Sequence, residues 1–240
     1  MRPILLLLLF AALLPGQWKK LPPAPNLKAT PGKTADGKPD LSGIWTQDNT
    51  RAFLDLTSDM KPADVPYRPA AKALVDARRD GTKDEPDANC LPQGVPKINN
   101  APAPFKIVQT PNLIVVVHEA FNLWRQIHLD GRELVDDPNP TWLGWSKGRW
   151  EGDTLVVDTR GFNGKAWLDH AGNPASDALH VTERFRRTSI GKLELEITID
   201  DPKMYTRPWM AKTSFHLLPD TEVMEFICLE NEKDQKHMAN

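Results

Sequence analysis

Alternation of apolar and polar residues governs the chain from residue 105 onward. Strand-like runs fall at 105–110, 112–118, 123–129, 141–147, 154–160, 178–187, 192–199, 209–217 and 222–229, with an earlier one at 41–46. Turn chemistry separates them, at Asp130-Gly131, Gly148 to Asp153, Gly191 and Pro219-Asp220. About ten strands joined mostly by short connections predict a mainly β protein. The expected form is an antiparallel meander closed as a barrel or folded as a sandwich. One short helix is predicted over 69–80, where Pro69 suits a first turn and Leu74 and Val75 give a narrow apolar side.

Side chains alternate across a strand, so a charge in the apolar phase is informative. Leu179, Val181 and Phe185 share their phase with Glu183, which is therefore expected to point inward. Leu113, Val115 and Val117 predict Glu119 inward, and Leu123, Ile127 and Leu129 predict the same for Arg125. A buried Glu needs a partner, and Arg125 is the natural one for Glu119 or Glu183. Inward charges of this kind are also found as structural ion pairs. By contrast Leu193, Leu195, Ile197 and Ile199 alternate with Glu194, Glu196, Thr198 and Asp200 as an ordinary half-buried strand does.

Chemistry concentrates in residues 137–187, which hold four of the eight tryptophans. A loop over 163–177 carries Trp167, Asp169 and His170. Ionisable and aromatic residues on a loop held by strands mark a candidate site. Trp142, Trp145 and Trp167, with Tyr205 and Trp209 on the proline-bounded loop 201–209, are candidates to line a cavity. Trp142 and Trp150 share one phase and Trp145 takes the other, so one wall cannot hold all three. Glu119, Arg125 and His180 complete the candidate ligand-binding set. Asp169-His170 with Glu183 forms the candidate acid-base set, because a carboxylate can orient a histidine that titrates near neutrality.

The 240 residues suffice for one domain with a sizeable core, expected over 41–240. A net charge of −2 with no basic face argues against nucleic acid as partner. No GxSxG, HExxH, Walker or dinucleotide motif occurs, so no cofactor is expected, and the histidines lack the spacing of a metal site. Residues 1–17 read as a signal peptide, a positive start followed by an apolar run from Ile4 to Leu14. That run is too short to span a bilayer, so the mature form is expected to have no transmembrane segment. Residues 18–40, rich in Pro and Lys, read as a linker or arm. In an oxidising compartment Cys90 and Cys228 favour a disulfide worth ~4–5 kcal/mol over two buried thiols. A periplasmic or secreted protein is therefore expected.

Gly43-Ile44-Trp45 is similar to the GxW signature of lipocalins and related barrels, which implies a closed barrel and an apolar ligand. In that family the Trp lies under the first strand and a late-strand Arg covers it; here no Arg follows Arg207. Residues 39–46, 90–96, 137–163, 167–169, 179–187 and 200–209 together resemble an uncharacterised family of exported bacterial β-rich proteins. That resemblance implies export and a β-rich fold and assigns no catalytic residue. The leading expectation is an exported barrel binding a small organic molecule in a polar-aromatic cavity. Two alternatives remain open: a cofactor-independent lyase, isomerase or hydrolase, and an interaction module of the cell envelope.

Overall fold

Nine strands close into one barrel in the computed structural model, which describes residues 23–79, 85–135 and 138–228. They are β1 (Gly43–Gln47), β2 (Phe105–Gln109), β3 (Leu113–His118), β4 (Trp124–His128) and β5 (Trp145–Glu151), followed by β6 (Thr154–Arg160), β7 (His180–Ser189), β8 (Lys192–Asp200) and β9 (Trp209–Leu217). Each strand pairs with the next, and β1 also takes β9 as its neighbour, with Trp45 opposite Leu217. Two short helices, α1 (Arg51–Leu54) and α2 (Pro69–Arg79), lie between β1 and β2. Asp80, where the predicted helix ends, lies outside the described residues, as do residues 1–17 and 18–22 of the predicted signal peptide and arm. The rest of the arm is ordered against the barrel: Ile190 N–H and Gly191 N–H donate to the carbonyls of Ala29 and Leu27.

The barrel is mixed rather than wholly antiparallel. β4 and β5 run parallel, matching Ile127 with Ser146 and His128 with Lys147. A parallel pair needs a long crossover, and residues 129–144 provide it. Consequently the strand expected from 141 begins only at Trp145 and runs on through Gly148 and Trp150. Gly148 is a packing residue rather than a turn residue. A Cβ there would lie 2.7 Å from Leu129 Cδ2 and 3.0 Å from Ile127 Cγ2. The turn itself is only Gly152-Asp153.

No tenth strand forms at 222–228, because pairing of β1 with β9 leaves no free sheet edge. That segment is instead a strap. Met224 N–H donates to Glu119 Oε2, Phe226 N–H donates to Asn122 Oδ1, and a Cys90–Cys228 disulfide with a Cα–Cα distance of 5.8 Å anchors its end. Among the described residues no helix is long and apolar enough to cross a membrane.

The inward phase follows expectation in β4, β7 and β8, where Arg125, Ile127, Leu179, Val181, Glu183, Phe185 and the Leu193 to Ile199 set are buried. β3 is the exception. Ile114, Val116 and His118 face the core, so Glu119 leaves the strand half-buried on the strap side. Five consecutive apolar residues from Leu113 to Val117 carry no phase of their own. At the barrel floor Trp45 is fully buried, its Nε1–H donating to the Leu41 carbonyl. A covering arginine is present after all. Arg187 of β7 lies 4.8 Å above the Trp45 ring and donates to the Asp40 carbonyl at 2.7 Å.

Candidate functional site

Arg125 is the hub of a polar layer inside the barrel. Register places Val116 beside it on β3, Ser146 and Thr159 opposite each other on β5 and β6, and Glu183 opposite Val157 on β7. Its Nε–H donates to Ser146 Oγ at 2.9 Å, and Nη2 donates to Thr159 Oγ1 at 2.7 Å and Glu183 Oε2 at 2.5 Å. From a 3₁₀ turn at Lys97–Asn100, Asn99 Nδ2 donates to the other oxygen of Glu183 at 2.5 Å. Arg125 is 3% exposed and Glu183 0%, so the charges neutralise each other away from water. Two of the buried nitrogens without a partner among the described residues are Arg125 Nη1 and His118 Nε2. Burial, and then the Arg125 charge, push the His118 pKa down to about 3 and keep the ring neutral.

Outside this layer, along the parallel seam, lies a groove of about 560 Å³. Trp124, Trp142, Trp145, Leu123 and Leu143 form its apolar walls. Arg125 and Ser146, members of the inner layer, are also among the residues that line it. Only two register pairs hold β4 to β5. Trp124 is 60% exposed, an unusual position for so large an apolar surface. The buried Thr141 hydroxyl in the same wall has no partner. Gly144 brings the crossover back onto the barrel with φ +65°, where a Cβ would lie 2.8 Å from the Arg160 carbonyl oxygen.

The other predicted ligand residues go elsewhere. Trp167 is buried beneath Arg78, whose guanidinium sits 4.4 Å from the ring centroid. Tyr205 and Trp209 are buried edge to face at 5.3 Å, and the Tyr205 hydroxyl donates to the Pro174 carbonyl. These three are packing residues. His180 lies on the outer face of β7, 3.3 Å from Asp158, and Glu119 serves the strap.

The acid-base candidates are separated. Asp169 turns inward and accepts from Leu56 N–H, Asn173 N–H and Asn173 Nδ2. His170 turns outward to Glu85, with Nδ1 at 2.8 Å from Oε2. Glu183 is enclosed by Arg125 and Asn99, and no hydrogen bond or ion pair joins any two of these three residues. Asp169 and His170 fall in a bend and turn that sends the first side chain into the core and the second to the surface, so they do not converge. Among the described residues no three His, Cys, Asp or Glu side chains gather to hold a metal ion.

No protein-family model matches the chain, and no curated protein matches it. The functional reading therefore rests on the geometry.

Several members of these networks carry no signal in the alternation pattern. Asn99 lies in a proline-broken stretch without period, and His118 is hidden by the apolar run before it. A second buried cluster joins Lys97 to Glu85 and to Asp87, the latter at 2.9 Å. Burial opposes ionisation of Asp87, yet the Lys97 charge and the Gln93 amide hold its pKa below the usual range. Trp124, on the outward face of its strand, carried no signal in the sequence.

Asp169 yields a pH prediction. Burial, outweighing its hydrogen bonds, pushes its pKa up to about 6 from 3.8. A folded-state pKa above the unfolded value means that the folded state binds the proton more tightly. The contribution is complete below about pH 4 and lost as pH rises through 6, a change of about 3 kcal/mol. Denaturant unfolding at pH 4.5, 5.5 and 7 is expected to show wild type losing stability relative to Asp169→Asn as pH rises. A constant difference would contradict the assignment.

Proposed function

We propose that this is an exported protein that binds a small organic molecule in the groove between β4 and β5. The observation that carries the reading is a half-open groove of ligand size, walled by Trp124, Trp142 and Trp145, with Arg132 and Lys147 also lining it. Flat aromatic faces supply contact area, and the Arg132 and Lys147 side chains offer donors that orient a ligand acceptor. The interior of the barrel is filled by core side chains, which favours the seam over a central cavity. Export is supported by the apolar N-terminal segment and by the disulfide, since such bonds persist in oxidising compartments. A catalytic role for Glu183, His170 and Asp169 has less support, because their partners are disjoint. For an envelope interaction module, the supporting feature is the exposed set Leu91, Met224 and Ile227 along the strap and its disulfide.

Saturation-transfer NMR with a library of small aromatic compounds tests the reading. Hits are expected on the wild type and are expected to weaken by about tenfold or more in Trp124→Ala/Trp145→Ala, since truncating a buried aromatic anchor typically costs 2 kcal/mol or more. Hits indifferent to both substitutions, or none at all, would overturn it.

A further inference from the structure

The groove does not end at its tryptophans. It adjoins a second hollow of about 230 Å³, and His128, Arg132 and Lys147 line both. The two differ sharply in character. Among the described residues lining the groove there is no carboxylate, whereas Arg132 and Lys147 both line it and neither is buried. The second hollow adds Arg149 and Arg160, so four cations meet only two carboxylates there, Glu133 and Asp158.

These cations differ in how firmly they are engaged. Arg149 is held by Asp158 at 2.7 Å and by Glu151 at 2.9 Å. Lys147 pairs with Glu133, whose side chain is 78% exposed, and Arg132 pairs with Asp130, its neighbour two residues back. A pair with so exposed a partner as Glu133 holds weakly, whereas Asp130 grips Arg132 through both Nε and Nη2. Arg160 is exposed and makes no ion pair among the described residues.

We infer that the ligand is an amphipathic anion: a flat apolar body of two or three rings against Trp124, Trp142 and Trp145, carrying one carboxylate- or sulfonate-type head over Arg132, Lys147 and Arg160. The inference rests on the groove being the binding site proposed above. A neutral ligand would leave the basic hollow unused, and a small inorganic anion would leave the tryptophan walls bare. An amphipathic anion satisfies both, because charge-assisted hydrogen bonds to guanidinium are about twice as strong as neutral ones and add direction.

A matched pair of fluorescent probes separates the possibilities: 1-anilinonaphthalene-8-sulfonate and N-phenyl-1-naphthylamine, the same aromatic body with and without the anionic head. Equilibrium titrations are run on the full chain, on Trp124→Ala/Trp145→Ala and on Arg132→Gln/Lys147→Gln/Arg160→Gln. None of the three cationic side chains is buried, so the triple variant retains the core. The sulfonate is expected to bind at least about tenfold more tightly than the neutral probe. The triple substitution is expected to erase that advantage and leave the neutral probe unchanged. Equal affinities, or a sulfonate affinity that survives the triple substitution, would overturn the anionic head and leave the groove standing. Failure of both probes to bind, or binding undiminished by loss of the tryptophans, would overturn the groove and this inference together.

Discussion

Glu183→Gln is expected to lower the unfolding free energy by ~3–5 kcal/mol, although it changes only one atom and one charge. Both carboxylate oxygens of Glu183 accept, one from Arg125 Nη2 and the other from Asn99 Nδ2. Gln offers a single oxygen, so its amide nitrogen must confront one of these donors, and Arg125 is left as a buried charge without its counter-ion. For a chain of this length the loss corresponds to a fall in Tm of about 10 °C. Arg125→Met/Glu183→Leu is expected to lose less than Glu183→Gln, because it removes both charges rather than one. Urea unfolding of the two variants checks this order. A Glu183→Gln protein within about 1 kcal/mol of wild type would mean that the pair is not enclosed as described.

The second large effect belongs to the disulfide. Cys90 and Cys228 are separated by 138 positions, and closing a loop of that length restricts the unfolded chain by about 5 kcal/mol on the chain-entropy account. The double substitution Cys90→Ser/Cys228→Ser is expected to lose an amount of that order in denaturant unfolding, with the barrel strands still formed. A local consequence accompanies the global one. The strap keeps only a few contacts to residues 106–122, among them Lys106 to Glu222 and the Phe121–Phe226 ring pair at 5.4 Å. Hydrogen exchange at Met224 and Phe226 is therefore expected to accelerate well before that of β7 and β8. Unchanged stability and unchanged exchange would show that the strap holds without its anchor.

How much of this was legible in the sequence depends on how strictly each strand alternates. β7 and β8 were readable residue by residue, because a single phase accounts for Leu179 to Phe185 and for Leu193 to Ile199. Glu183 was legible as inward for the same reason, and Arg125 as its partner. β3 was not, since Leu113 to Val117 fit either face and only the burial of His118 decides. β5 was obscured by Gly148, a residue that marks a turn as often as a close approach of side chains. The parallel seam could not be foreseen from local pattern, because the direction of a strand depends on where a long crossover returns. That seam creates the groove, so the site was only half legible. Trp142 and Trp145 were marked as ligand residues, while Trp124 carried no mark and Trp167, Tyr205 and Trp209 proved to be packing. The arginine over Trp45 does not follow residue 207 but is Arg187, on a strand two positions earlier in the barrel.

The most direct test of the central claim, that the seam between β4 and β5 is the binding site, follows the indole N–H signals of ¹⁵N-labelled protein during titration with 1-anilinonaphthalene-8-sulfonate. The signals of Trp124, Trp142 and Trp145 are expected to shift with a common saturation curve, while those of Trp45, Trp167 and Trp209, buried in the core and loops, stay in place. Shifts confined to Trp45, Trp167 or Trp209 would place the ligand elsewhere and contradict the account.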